Sequence, residues 1–87
     1  MHEASLMKGL MSRIDTLAAE AQARRVTGVS VWLGALSHMS PEHFREHFLS
    51  SSIDSCAAGA SLQISTSSDV RHPEAEQIRL LSIEVES

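Results

Sequence analysis

The most chemically loaded stretch of this chain of 87 residues is Met1-His2-Glu3. A free terminal amine, the amide nitrogen of the second residue and the imidazole of a histidine there form two fused chelate rings. Amine and amide close a five-membered ring; amide and Nδ1 close a six-membered one. Ni(II) or Cu(II) takes such donors in a square plane and lowers the amide's acidity enough to displace its proton. The Glu3 backbone nitrogen, the Glu3 carboxylate or a water completes the plane. A free amine titrates near about 7.7–8.0, so loading releases protons and weakens as pH falls. The geometry requires Met1 to stay in place, and a second residue as large as His2 disfavours its removal. His38 is a further candidate ligand if the two helix starts lie together. A solvated chain end with a commonplace second-position histidine would present the same tripeptide.

His43-Phe44-Arg45-Glu46-His47 matches H-x-x-E-H, the inverted zinc-peptidase pattern, on a predicted helix. Histidines four apart share a face and can hold zinc, with Glu46 as general base. A hydrolase also needs a third protein ligand and a cleft, for which a chain this short has little volume. Five-residue patterns match by chance. His72 falls in a polar loop. The single cysteine, Cys56, excludes an internal disulfide and any C-x-x-C site, and reads as a small buried apolar residue. No Ser-His-Asp set or Gly-rich phosphate loop is present, so the reading is of a protein that is not an enzyme.

These side chains need a scaffold. Leu6, Met7, Leu10, Met11, Ile14, Leu17, Ala18 and Ala21 recur at steps of three and four, which predicts an amphipathic helix from Glu3 to Ala23 with Arg24 and Arg25 at its C-terminus. Val29, Val31 and Leu33 alternate with Ser30, Trp32 and Gly34, a half-buried strand. Ser40-Pro41-Glu42 is an N-cap, a first-position proline and a first-turn acid. The second helix is expected to bury Phe44, Phe48, Ile53, Cys56 and Ala57 and to stop at Gly59. Leu62, Ile64 and Thr66 mark a second strand, and Ser67 to Gln77 reads as a loop. A third strand should turn Leu81, Ile83 and Val85 inwards, paired with the second as a long-looped hairpin.

The fold class is therefore α+β: a small two-layer α/β domain in the order α-β-α-β-β, with a three-stranded mixed sheet and two helices on one face. A helix between the first two strands favours a right-handed parallel crossover. The open sheet face would carry Trp32 and Leu80 among Ser30, Gln63, Ser65, Ser82 and Glu84. That pair is a candidate patch for a second copy or another partner, or simply two isolated apolar side chains.

Eighty-seven residues make one domain, 1–87, with a radius of gyration near about 12 Å. Hydrophobic residues at 43% suit a folded core, and a net charge of −4 argues against nucleic acid as a partner. No run approaches the roughly 20 apolar residues of a membrane span, and the first twenty residues are interrupted by charges. A soluble, cytoplasmic protein is expected. Five histidines in so short a chain point towards metal.

Several segments occur in one order: Met1-His2-Glu3-Ala4-Ser5-Leu6, Arg25-Val26-Thr27-Gly28-Val29, Leu33-Gly34-Ala35-Leu36-Ser37, Ser40-Pro41-Glu42, Phe44 to Phe48, Gly59-Ala60-Ser61-Leu62-Gln63-Ile64 and Ser82-Ile83-Glu84-Val85-Glu86. In this ordered combination the chain resembles the HypA/HybF family of hydrogenase-maturation nickel chaperones. The resemblance implies a nickel-binding domain whose ligands are Met1, His2 and Glu3. It also implies delivery of nickel towards a [NiFe]-hydrogenase large subunit, with a nickel-insertion GTPase as partner. Family members insert a zinc lobe, built on two C-x-x-C pairs, between the second strand and the last. Here loop 67–77 stands in its place without a cysteine, so no zinc is expected. That departure motivates an alternative, a diverged interaction or regulatory module of a hydrogenase system that keeps the fold without delivering nickel.

Overall fold

The computed structural model describes residues 3–86, with side chains from Ser5 onwards. The elements are α1 (Glu3–Glu20), β1 (Arg25–Leu33), α2 (Pro41–Ser52), β2 (Ser61–Thr66) and β3 (Ile78–Glu86). The expected α-β-α-β-β order and mixed three-stranded sheet are present. The radius of gyration is 12.7 Å.

α1 ends earlier than its apolar pattern. Gln22 adopts φ 55°, its N–H donates to Ala19 O at 3.0 Å, and the Ala23 N–H reaches back to Ala18 O at 2.9 Å. This pair of bonds is a Schellman closure. Arg24 and Arg25 consequently do not cap the helix; Arg25 already opens β1.

The sheet order is β2-β1-β3, with β1 parallel to β2 and antiparallel to β3. The expected β2–β3 hairpin does not form, because β1 lies between them. The reason lies in Val26, Val29, Val31 and Leu33, all buried. A strand this apolar is stable where both its backbone edges are paired.

β3 also departs from strict alternation. Ser30 pairs Ser82 while Val31 pairs Leu80, so Leu81 has no partner across the ladder. Such a bulge reverses the phase of the side chains beyond it. Ile78, Leu80 and Ile83 therefore pack against the core, whereas Leu81 is 53% exposed; Val85, paired with Val26 near the end of the strand beyond a second irregularity in β1, is 40% exposed. The expected inward set Leu81, Ile83, Val85 holds for Ile83 alone.

α1 lies over β3 and α2 over β2. Met7, Leu10, Ile14 and Ala18 meet Phe44 and Phe48 above the β1 valines, and the two phenyl rings stack with centroids 6.3 Å apart. α2 begins as expected: Ser40 Oγ accepts the His43 N–H at 3.1 Å and Pro41 follows. It stops at Ser52, not Gly59, and Ile53 is 71% exposed. Serine hydroxyls explain this, since they compete for backbone groups. Ser55 Oγ donates to Ser52 O at 2.9 Å and accepts the Ala57 N–H at 3.0 Å, turning the chain while keeping Ala57 buried.

Candidate metal centre

Met1, His2 and the side chain of Glu3 lie outside the described residues; Glu3 begins α1. What the fold places around the start of that helix is described. Leu6, on its first turns, shares a cleft of about 770 Å³ with Leu36, His38, Val70, His72 and Glu76. Its walls are thus α1, the turn after β1 and the loop before β3.

The turn is built by backbone contact. Gly34 N–H donates to Gln77 O at 2.9 Å, Leu36 N–H to Ala75 O at 2.7 Å, and Ser37 N–H to Gly34 O at 3.0 Å. A Cβ on Gly34 would stand 2.2 Å from Ala75 O and 2.9 Å from Gln77 O, so only glycine admits the loop at this distance. His38 follows at φ 60°, a left-handed conformation uncommon outside glycine. It is exposed on the rim of the cleft that the start of α1 enters.

Loop 67–77 is ordered by its own bonds. Ser67 Oγ accepts the Asp69 N–H, and Asp69 Oδ1 accepts the Arg71 N–H. His72 Nδ1 accepts the Glu74 N–H at 2.9 Å, and Glu74 pairs with Arg79 at 2.6 Å. The His72 ring rests on Trp32, centroids 5.0 Å apart. With Nδ1 engaged as an acceptor, a neutral His72 carries its proton on Nε2, which leaves no ring lone pair for a metal while this bond stands. The loop's use of His72 is a feature that sequence reasoning missed, because nothing local links it to Trp32.

Trp32 and Leu80 do not form a common patch. Leu80 pairs with buried Val31 and packs on the helix-covered side, while Trp32 faces the other side under His72. The same bulge that displaced Leu81 separates them.

His43 and His47 do meet, with rings stacked at 4.6 Å and 22°. Glu46 is exposed. Among the described residues no group of three or more His, Cys, Asp or Glu side chains is placed to hold a metal. The third ligand that a zinc hydrolase would need is therefore not found among them. Cys56 is half-buried, not fully buried, and lies 3.5 Å from Asp15 Oδ1. Burial, then its hydrogen bond to Asp15 and the charge of that carboxylate, push its thiol above the ordinary cysteine range.

The family profile described as "Hydrogenase/urease nickel incorporation, metallochaperone, hypA" matches residues 1–83. The chain belongs to the HypA family. The hydrogenase maturation factor HypA of Rhodopseudomonas palustris strain BisA53 is 39% identical over 64 residues, 74% of this chain and 57% of that protein. That of Archaeoglobus fulgidus is 36% identical over 72 residues, 82% of this chain and 66% of that protein. The HypA-family chain thus spans about 57–66% of the length of these relatives. In fold it is similar to the Ni metallochaperone HypA from Helicobacter pylori in solution, with a TM-score of 0.83 at 22% identity over 100% of this chain and 99% of that one. A second HypA solution structure matches with a TM-score of 0.73 at 24% identity, covering 98% of this chain and 96% of that one. HypA is a metallochaperone family rather than an enzyme family, so the H-x-x-E-H segment is not read as a catalytic motif. No described helix is long and apolar enough to cross a membrane.

Proposed function

We propose that this HypA-family chain is a nickel-binding accessory protein that holds Ni(II) at a free N-terminus. The Met1 amine, the His2 amide nitrogen and imidazole, and Glu3 supply the plane, and His38 is a further donor from the facing turn. The observation that carries this reading is the family match beginning at residue 1. The fold supports it by opening the start of α1 onto the cleft that His38 rims.

Nickel is the cargo here, in keeping with the family's description, and hydrogenase maturation its destination, as the names of the relatives state for themselves. A [NiFe]-hydrogenase large subunit and a nickel-insertion GTPase are the partners this role requires. The 1–87 chain acts as a single nickel domain in the cytoplasm, with loop 67–77 in the position of the family's zinc lobe and no zinc bound.

The test compares two proteins, one beginning at Met1 and one extended by a few residues ahead of it. Nickel(II) should bind the first with one more equivalent than the second, with yellow square-planar absorption only in the first. Equal binding would overturn the chelate, since the extension removes the terminal amine while leaving every side chain in place.

A further inference from the structure

The sheet ends in two edge strands, and the chain equips them differently. β3 carries Arg79, Glu84 and Glu86 and is bulged at Leu81, which has no partner across the ladder. Charges and bulges are devices that keep an edge strand from pairing with another chain. β2 has neither. Ser61-Leu62-Gln63-Ile64-Ser65-Thr66 holds no charge and no proline, and its register with β1 runs unbroken from Gly28 and Ser61 to Leu33 and Thr66. Among the described residues no strand pairs with its outer side.

The core is also incompletely covered there. Leu62 and Ile64 are the register partners of Val29 and Val31. The two valines are 2% and 0% exposed, whereas Leu62 and Ile64 are only half-buried. All four belong to the apolar cluster beneath the helices. β1 has a strand on each side and β2 has one. Gln63 faces the other side of the sheet, exposed, where its Oε1 accepts the Ser30 hydroxyl at 3.4 Å.

β2 is complementary to itself. When two copies of a strand meet antiparallel about a two-fold axis, one residue faces its own copy and the rest pair symmetrically about it. With Gln63 on the axis, Leu62 lies opposite Ile64 of the second copy, and Ser61 opposite its Ser65. The aliphatic pairs then fall on the helix-covered side and the neutral polar pairs on the open side, and no like charges meet.

We propose that this chain forms a homodimer by antiparallel pairing of β2 with the β2 of a second copy, joining two three-stranded sheets into one. The pairing consumes both bare edges and leaves a guarded β3 at each end, so assembly stops at two. It requires no metal and is independent of the terminal chelate. An interface centred on one short strand is small, so the dimer is a weak one.

The experiment is sedimentation velocity of the full chain from about 5 μM to about 1 mM, with EDTA present to exclude metal-bridged association. The sedimentation coefficient should rise from that of a monomer to that of a dimer. The β2 amides that face away from β1 should exchange more slowly in the concentrated sample. Gln63→Lys and Gln63→Glu, at an exposed position, should each weaken association by about fivefold, because like charges then meet on the axis. An equimolar mixture of the two should associate at least as well as the parent, which no loss of folding in either variant could produce. Ser82→Lys, on β3, should change nothing. The proposal is overturned if the chain stays monomeric throughout, which would leave the edge to a strand from another protein, or if the mixture associates no better than its components.

Discussion

The imidazole of His72 lies over the indole of Trp32, with ring centroids 5.0 Å apart and planes inclined by 48°. One ring belongs to the central strand and the other to loop 67–77. Their contact, with the two backbone bonds from Gly34 and Leu36, turns a polar connection into a fixed wall of the cleft at the start of α1. His72→Ala should therefore release the loop, losing the ring contact, worth about 0.5–1.5 kcal/mol, and the acceptor for the Glu74 N–H. Amide exchange over residues 67–77 should accelerate while the helices keep their protection. Unchanged protection in the loop would show that the stack holds nothing in place.

Gly34 and Gly9 should respond oppositely to alanine. At Gly34 the new Cβ meets backbone oxygens of Ala75 and Gln77, whereas at Gly9, in the middle of α1, it meets nothing within 4 Å. Gly34→Ala should cost about 2 kcal/mol or more, through strain and lost loop hydrogen bonds. Gly9→Ala should stabilise by up to about 1 kcal/mol through helix propensity. Urea unfolding of the two variants decides both.

α2 carries its stability unevenly. Ser40→Ala removes the acceptor of the His43 N–H and should cost about 1 kcal/mol. Phe48→Ala empties a fully enclosed position in the core and should cost about 3–5 kcal/mol, enough to leave so small a domain largely unfolded. Equal midpoints in denaturant for these two variants would contradict the packing described.

Cys56 should alkylate slowly at pH 8 relative to a free thiol, because burial and the nearby Asp15 carboxylate disfavour its thiolate. Asp15→Asn removes the charge but not the burial, so the rate should rise only a few-fold. A rate indifferent to Asp15 would detach the thiol from that carboxylate.

His38→Ala tests the facing turn as the source of the further nickel donor. In the protein beginning at Met1 it should weaken nickel binding at the terminal chelate by about tenfold, on the scale of changes next to a metal's direct ligands. The fold should lose little stability, since the side chain is exposed and alanine bears only a small extra cost over histidine at the left-handed φ of 60°. Nickel affinity identical to the parent would remove His38 from the ligand set.

Local pattern was sufficient for much of this molecule. The spacing of Met7, Leu10, Ile14 and Ala18 determined α1 and its buried stripe, because helical period is a property of consecutive residues. Ser40-Pro41-Glu42 determined where α2 starts for the same reason, and the chelate proposed for Met1-His2-Glu3 was legible without any fold because its donors are contiguous. Other features belong to pairs of residues remote in the chain, and only the tertiary structure decided them. β1 took the centre of the sheet because its valines needed cover and two paired edges. The bulge at Leu81 reversed which of Leu80 and Leu81 is buried, a choice made by ladder register with Ser30 and Val31. Trp32 met His72, and Gly34 met Ala75, because the loop crosses the end of the central strand. Periodicity reports which residues can share a face; which faces then meet depends on the packing of the whole chain.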